Sequence, residues 1–241
     1  MFTKKRASKD PADSADLAAE DDGRLSRTAS DLVRRLVDLG IDGLGPLPPA
    51  AQAAEAALRG SSGAEAAIDD LVSSATRSAA VGGFVTGLGG FVTLPVALPA
   101  NLLGFYVIAT RTVAGTASLR GYDLSSPEVR TAVLLTLVGT DAKTLLSRFG
   151  VGGTGGLVTR LARGQLSGPG LMVLNKAVGF QLVSRFGRSA LARLGRGVPL
   201  AGGIIGGVSD AVVLRRIARS AREAFPAQGG GTRTAAGAVE R

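Results

Sequence analysis

The segment Ser78 to Thr110 runs for 33 residues without a formal charge, and it constrains this chain more than any other feature. About 20 apolar residues suffice to cross the hydrocarbon core of a bilayer, so length alone permits a span. The interior argues against one straight helix. Five glycines lie between Gly82 and Gly90, and Pro95 and Pro99 follow. Interior glycine costs up to about 1 kcal/mol relative to alanine, and proline removes a backbone donor and clashes with the preceding turn. The pattern predicts a central apolar hairpin, or two helices joined at a turn over Thr93 to Pro99.

Helical periodicity recurs on both sides. Leu32, Val33, Leu36, Val37 and Leu39 repeat behind Ser30, a candidate N-cap. Gly40 to Pro49 interrupts them, and an Ala-rich helix over 49–58 follows. An amphipathic helix is expected over 64–80. Ser126, with Pro127 and Glu128 behind it, marks the start of a helix running to Arg148. Two more helices are expected over 171–194 and 199–224. Leu-Leu-Ser-Arg-Phe-Gly at 145–150 is echoed by Leu-Val-Ser-Arg-Phe-Gly at 182–187, predicting two helix endings with Gly150 and Gly187 in the cap conformation. No alternating strand pattern competes, so the expected fold is all-α: a compact glycine-rich helical bundle.

Residues 1–25 and 227–241 are too poor in apolar side chains to offset the entropy of ordering, and both tails are expected to be disordered. Short helices and a Pro/Gly-rich linker should occupy 26–63, with the helical domain over 64–226. The N-terminus has no apolar run of the kind a secretory signal carries.

The chain contains neither His nor Cys. That removes imidazole and thiolate metal sites, Cys nucleophiles, disulfides and every triad that uses His as base. No glycine precedes a Lys-Ser or Lys-Thr pair, so a phosphate loop is absent. No catalytic residue, metal ligand or cofactor is therefore expected, and a non-enzymatic role is the reading that remains. Asp141 and Asp210 stand in apolar helical surroundings, and Arg111 borders the uncharged stretch. These three are candidates for buried ion pairs, because a buried carboxylate is expensive without a partner. A hydrolase built on the two acids is the last alternative.

Glycines four apart are the most informative spacing. Gly83 with Gly87, Gly202 with Gly206, and Gly203 with Gly207 each remove side chains from one helix face, so that a second backbone can approach. Charge supplies the other pattern. Residues 1–70 hold 9 basic and 13 acidic side chains, whereas residues 71–241 hold 19 basic and 6 acidic. Arg185 and Arg188 fall on one expected helix; Arg215, Arg219 and Arg222 share a face of the next, beside Val212, Val213 and Ile217. An arginine face next to apolar surface suits an anionic membrane or a membrane protein. Nucleic acid is disfavoured, since no reading motif and no run of stacking aromatics accompanies the charge.

Several motifs resemble the EcsC-like family of bacterial proteins over roughly Ala64 to Phe225. They are Gly-Leu-Gly-Gly-Phe-Val-Thr-Leu-Pro at 87–95, Leu-Pro-Ala-Asn-Leu at 98–102, Gly-Tyr-Asp-Leu at 121–124, and Leu-Asn-Lys at 174–176 before Gly179-Phe180. Val198-Pro199 then leads to Gly202-Gly203, Gly206-Gly207 and Asp210. Members of the family often read Pro-x-Asp where this chain has Pro99-Ala100-Asn101, which leaves no carboxylate at that place. The resemblance implies a helix-rich, membrane-associated accessory to a transport system and carries over no catalytic residue. The expectation is a cytoplasmic protein, peripheral on the membrane's inner face, with integral insertion or a soluble protein-interaction module as alternatives.

Overall fold

The computed structural model describes residues 23, 27–88, 90–139, 141–150, 161, 168–194 and 199–228. Every regular element among them is helical, as an all-α chain requires. Most of both tails and of the glycine break at 150–156 lies outside the described residues.

Helix α1 covers residues 27–37 and passes into a π-helical turn, Asp38–Asp42, which Gly43 ends at a φ of 76°. Ser30 therefore lies inside α1 and does not cap it. The helix starts earlier because Ala29, fully buried, packs its backbone against the glycine face at Gly179. Helix α2, Ala50–Arg59, begins behind Pro49, and the amide of Gly60 donates to the carbonyls of Ala57 and Leu58 at its end.

Helix α3 spans Ala64–Leu88 and α4 spans Gly90–Leu119. The hairpin break falls at residue 89, among the glycines, and not at the expected turn over 93–99. Pro95 and Pro99 lie within α4. The long buried stretch of that helix, from Phe105 to Ala117, fixes its course, and its packing overrides the local preference of the two prolines.

Helix α5, Pro127–Val138, starts as its sequence predicts: the Ser126 hydroxyl accepts from the Val129 amide at 3.4 Å, with Pro127 in the first turn. Gly139, at a φ of 61°, then separates it from α6, Asp141–Arg148, so the single helix expected over 126–148 is two. Gly150 takes the left-handed cap conformation at a φ of 71°. Its counterpart Gly187 lies inside α7, Gly168–Leu194. The final helix α8, Pro199–Ala224, has the limits its sequence indicated.

Helices α4 and α5 form the centre. On α5 every residue from Thr131 to Val138 is buried, which matches a helix that is apolar nearly all round. Helix α7 packs on α5, while α2, α3 and α8 pack on α4, with α3 and α8 also lying against each other.

Three arginines hold helix ends. The Arg111 guanidinium donates to the Leu39 carbonyl at 3.4 Å, where α1 turns. Arg130 donates to the Leu124 carbonyl at 2.8 Å and pairs with both oxygens of Asp42. Arg120 does most: its side chain is only 11% exposed, it grips both carboxylate oxygens of Glu65 at 2.9 and 3.0 Å, and it donates at 2.8 Å to the carbonyls of Arg222 and Phe225. Carbonyls in the last turn of a helix lack intrahelical donors and carry the negative end of its dipole, so a cation there is doubly favoured. The Tyr122 hydroxyl donates to the Pro226 carbonyl at 2.9 Å, and its ring meets Phe225 edge-on at 5.2 Å. Together these contacts fasten the end of α8 to the α4–α5 loop.

Replacing Arg120 by Met removes two charge-assisted bonds to backbone carbonyls. Thermal or urea unfolding should register a loss of about 2–4 kcal/mol. Glu65→Gln, which leaves both carbonyl contacts in place, should cost under about 1 kcal/mol.

Candidate membrane-contact surface

Helices α3 and α8 lie antiparallel. Gly83 sits beside Gly206, Ala80 beside Gly207, and Asp69 pairs with Arg222 three turns further along. The approach at the glycines is backbone to backbone. A side chain starting at Gly206 would lie 2.5 Å from the Gly83 carbonyl oxygen, and one at Gly207 would lie 2.7 Å from the Ala80 carbonyl oxygen. One at Gly83 would meet the Gly206 carbonyl oxygen at 2.7 Å and the Asp210 carboxylate at 2.5 Å. Removing the side chains is what lets these helices touch. Gly203, one turn back on α8, is buried as well. Gly87 and Gly202 lie in the same two helices but outside the residues whose side chains are described.

The crossing turns the outer faces of both helices away from the core. On α3, Val81, Phe84 and Val85 are exposed; on α8, Ile204, Ile205, Val208, Val212 and Val213 are exposed. Val81, Val85, Ile204 and Val208 each show 58–62% of their surface. Single exposed apolar residues are ordinary, but a contiguous group at one end of a helix pair marks a contact surface. Thr86, which shares this end, returns its hydroxyl to the Gly82 carbonyl at 2.8 Å. That bond reduces its need for water.

Exposed cations follow directly. Arg77 stands on the outer face of α3, and Arg215, Arg216 and Arg219 on that of α8. On α8 the exposed positions form one stripe at helical spacing, apolar from Ile204 to Val212 and basic from Arg215 to Arg219. Arg222 departs from the expected surface role: it is half-buried and pairs with Asp69, while its carbonyl receives Arg120. The side chains of Arg185 and Arg188, within α7, lie outside the description. Arg77 was not among the residues singled out from sequence, although it borders the uncharged stretch.

The expected ion-pair candidates separate. Asp210 is 7% exposed and faces α3 at Gly83. Arg111 is half-buried on α4, where desolvation lowers its pKa, and it serves the Leu39 carbonyl. Asp141 lies in α6, with its side chain outside the description.

A cleft of about 370 Å³ opens elsewhere, lined by Asp42, Glu55, Tyr122, Asp123, Ser125 and Arg130 among others. Asp210 does not line it. Asp42 is tied to Arg130. Asp123 accepts from the Ser125 hydroxyl at 2.7 Å and the Ser125 amide at 2.8 Å, and these bonds, with the charge of Arg130, hold its carboxyl below the usual range. The polar groups of the cleft are thus largely spent on the α4–α5 loop itself. Among the described residues, no group of three acids could hold a metal ion.

No protein-family model, curated protein or solved structure matches this chain.

The glycine contacts predict opposite outcomes for one substitution in two helices. Gly206→Ala drives a methyl group into a backbone carbonyl and should destabilise the fold by about 1–3 kcal/mol. Gly104→Ala, at an exposed helical glycine with nothing within 4 Å of the new methyl, should stabilise it by up to about 1 kcal/mol. Chemical denaturation of the two variants checks the pair.

Proposed function

We propose that this chain is a non-catalytic, membrane-associated helical protein, held peripherally on the cytoplasmic face and acting as an accessory to a membrane transport system. The observation that carries the reading is the exposed apolar end of α3 and α8, followed on both helices by exposed arginines. Apolar side chains at the tip of a helix pair gain free energy on leaving water, at roughly 25 cal/mol per Å² removed. Arginines behind them add attraction to anionic headgroups. The two glycine centres act in this reading as a zipper that keeps the pair closed while its outer face meets lipid.

Peripheral contact is preferred to a span on physical grounds. One helical window, Leu102–Leu119 in α4, is long and apolar enough to cross a membrane, but 61% of it is buried within the protein. A core helix of a water-surrounded bundle has the same character. The resemblance to the EcsC-like family supports the accessory role and the bacterial setting, and both are part of the proposal.

Co-flotation with liposomes tests it. The chain should rise with vesicles containing phosphatidylglycerol and should leave membranes on an alkaline carbonate wash, as a peripheral protein does. A chain that stays at the bottom of the gradient with every vesicle composition does not bind membranes, and the proposal then fails.

A further inference from the structure

Resting on the membrane reading above, we propose that the α3–α8 end enters a single leaflet, with Arg77, Arg215, Arg216 and Arg219 set on the phosphodiester groups of anionic lipids. The lengths agree from both helices. At a rise of 1.5 Å per residue, Ile204 to Arg215 covers about 16 Å along α8, and Val85 to Arg77 covers about 12 Å along α3. Half of a hydrocarbon core about 30 Å thick is about 15 Å. The apolar end is therefore one leaflet deep and too short for two.

The antiparallel register brings the charges to one level. With Gly83 beside Gly206 and Asp69 beside Arg222, Arg77 falls opposite Val212–Leu214, immediately before Arg215. Cations from two separate helices thus stand at the same height above the tip. Beyond them come Asp69, Asp70 and Glu223, exposed acids that an anionic surface repels. They bound the insertion from above, as the arginines anchor it.

Nothing charged faces outward below that level. Residues 78–86 contain no ionisable side chain, and the one acid of α8 in this zone, Asp210, is turned onto α3 and buried. A polar group at lipid depth is tolerated when protein surrounds it. The sidedness of Asp210 thereby leaves the outer stripe of α8 compatible with acyl chains.

The chain has no cysteine, so single-cysteine variants can carry an environment-sensitive fluorophore without background labelling. Val85→Cys, Ile205→Cys and Ser73→Cys place probes at the tip, at the tip and beyond the arginine level. On phosphatidylglycerol vesicles, lipids brominated along the acyl chain should quench the first two and leave the third bright. Arg215→Gln/Arg216→Gln/Arg219→Gln should weaken binding to those vesicles on the order of 100-fold, at about tenfold or less per arginine, with helical circular dichroism unchanged. Quenching of all three probes alike means that the pair spans, and binding without quenching of any means that the protein only adsorbs; either overturns the one-leaflet placement while the membrane reading stands. Absence of binding to any vesicle removes both.

Discussion

The contact on which this structure depends is between two backbones, Gly83 on α3 and Gly206 on α8. Any larger side chain at either position begins inside the other helix. Because the two glycines meet, the helices lie close enough for Asp210 to be enclosed between them. The same crossing sets the register that places Asp69 against Arg222 and Glu65 near Arg120 at the far end. Glycine in a helix interior is unfavourable by itself, so the arrangement is stable only while the partner helix is in place. Close packing and the exposed apolar outer face are two sides of one device.

Arginine divides into two roles along the chain. Arg111, Arg120, Arg130 and Arg222 are drawn inward and spent on carbonyls or carboxylates at helix ends. Arg77, Arg215, Arg216 and Arg219 face outward at one level of the α3–α8 pair. The first group fastens the end of the bundle farthest from the apolar tip. The second gives that tip its charged margin. Positive charge in this chain is thus ordered along the length of one helix pair, from surface contact to structural pairing.

Much of this was legible locally. The start of α3 at Ala64, the Ser126 cap with Pro127, and the limits of α8 rest on capping chemistry that a few residues determine. The burial of α4 and α5 follows from their apolar composition. What could not be read depended on distant partners. The hexapeptide ending in Gly150 terminates a helix, while the near-copy ending in Gly187 continues through one, and no local difference predicts it. The hairpin broke at residue 89, because packing of α4 outweighed two prolines. The glycine spacing identified Gly83 and Gly206, yet Gly179, which meets the Ala29 carbonyl as closely, has no such spacing to announce it. Nor does charge patterning separate an arginine that caps a carbonyl from one that faces lipid, which is why Arg222 was grouped with Arg215 and Arg219.

The central claim is that the outer face of the α3–α8 end is the membrane-binding surface. Vesicle co-sedimentation of a Val85→Glu/Ile205→Glu variant tests it most directly, since both positions are exposed and neither touches the glycine crossing. The account predicts unchanged helical content and thermal stability, with binding to phosphatidylglycerol vesicles reduced at least about tenfold, because carboxylates at lipid depth cost several kcal/mol. Equal binding by the variant and the parent chain, with both folded, would contradict it.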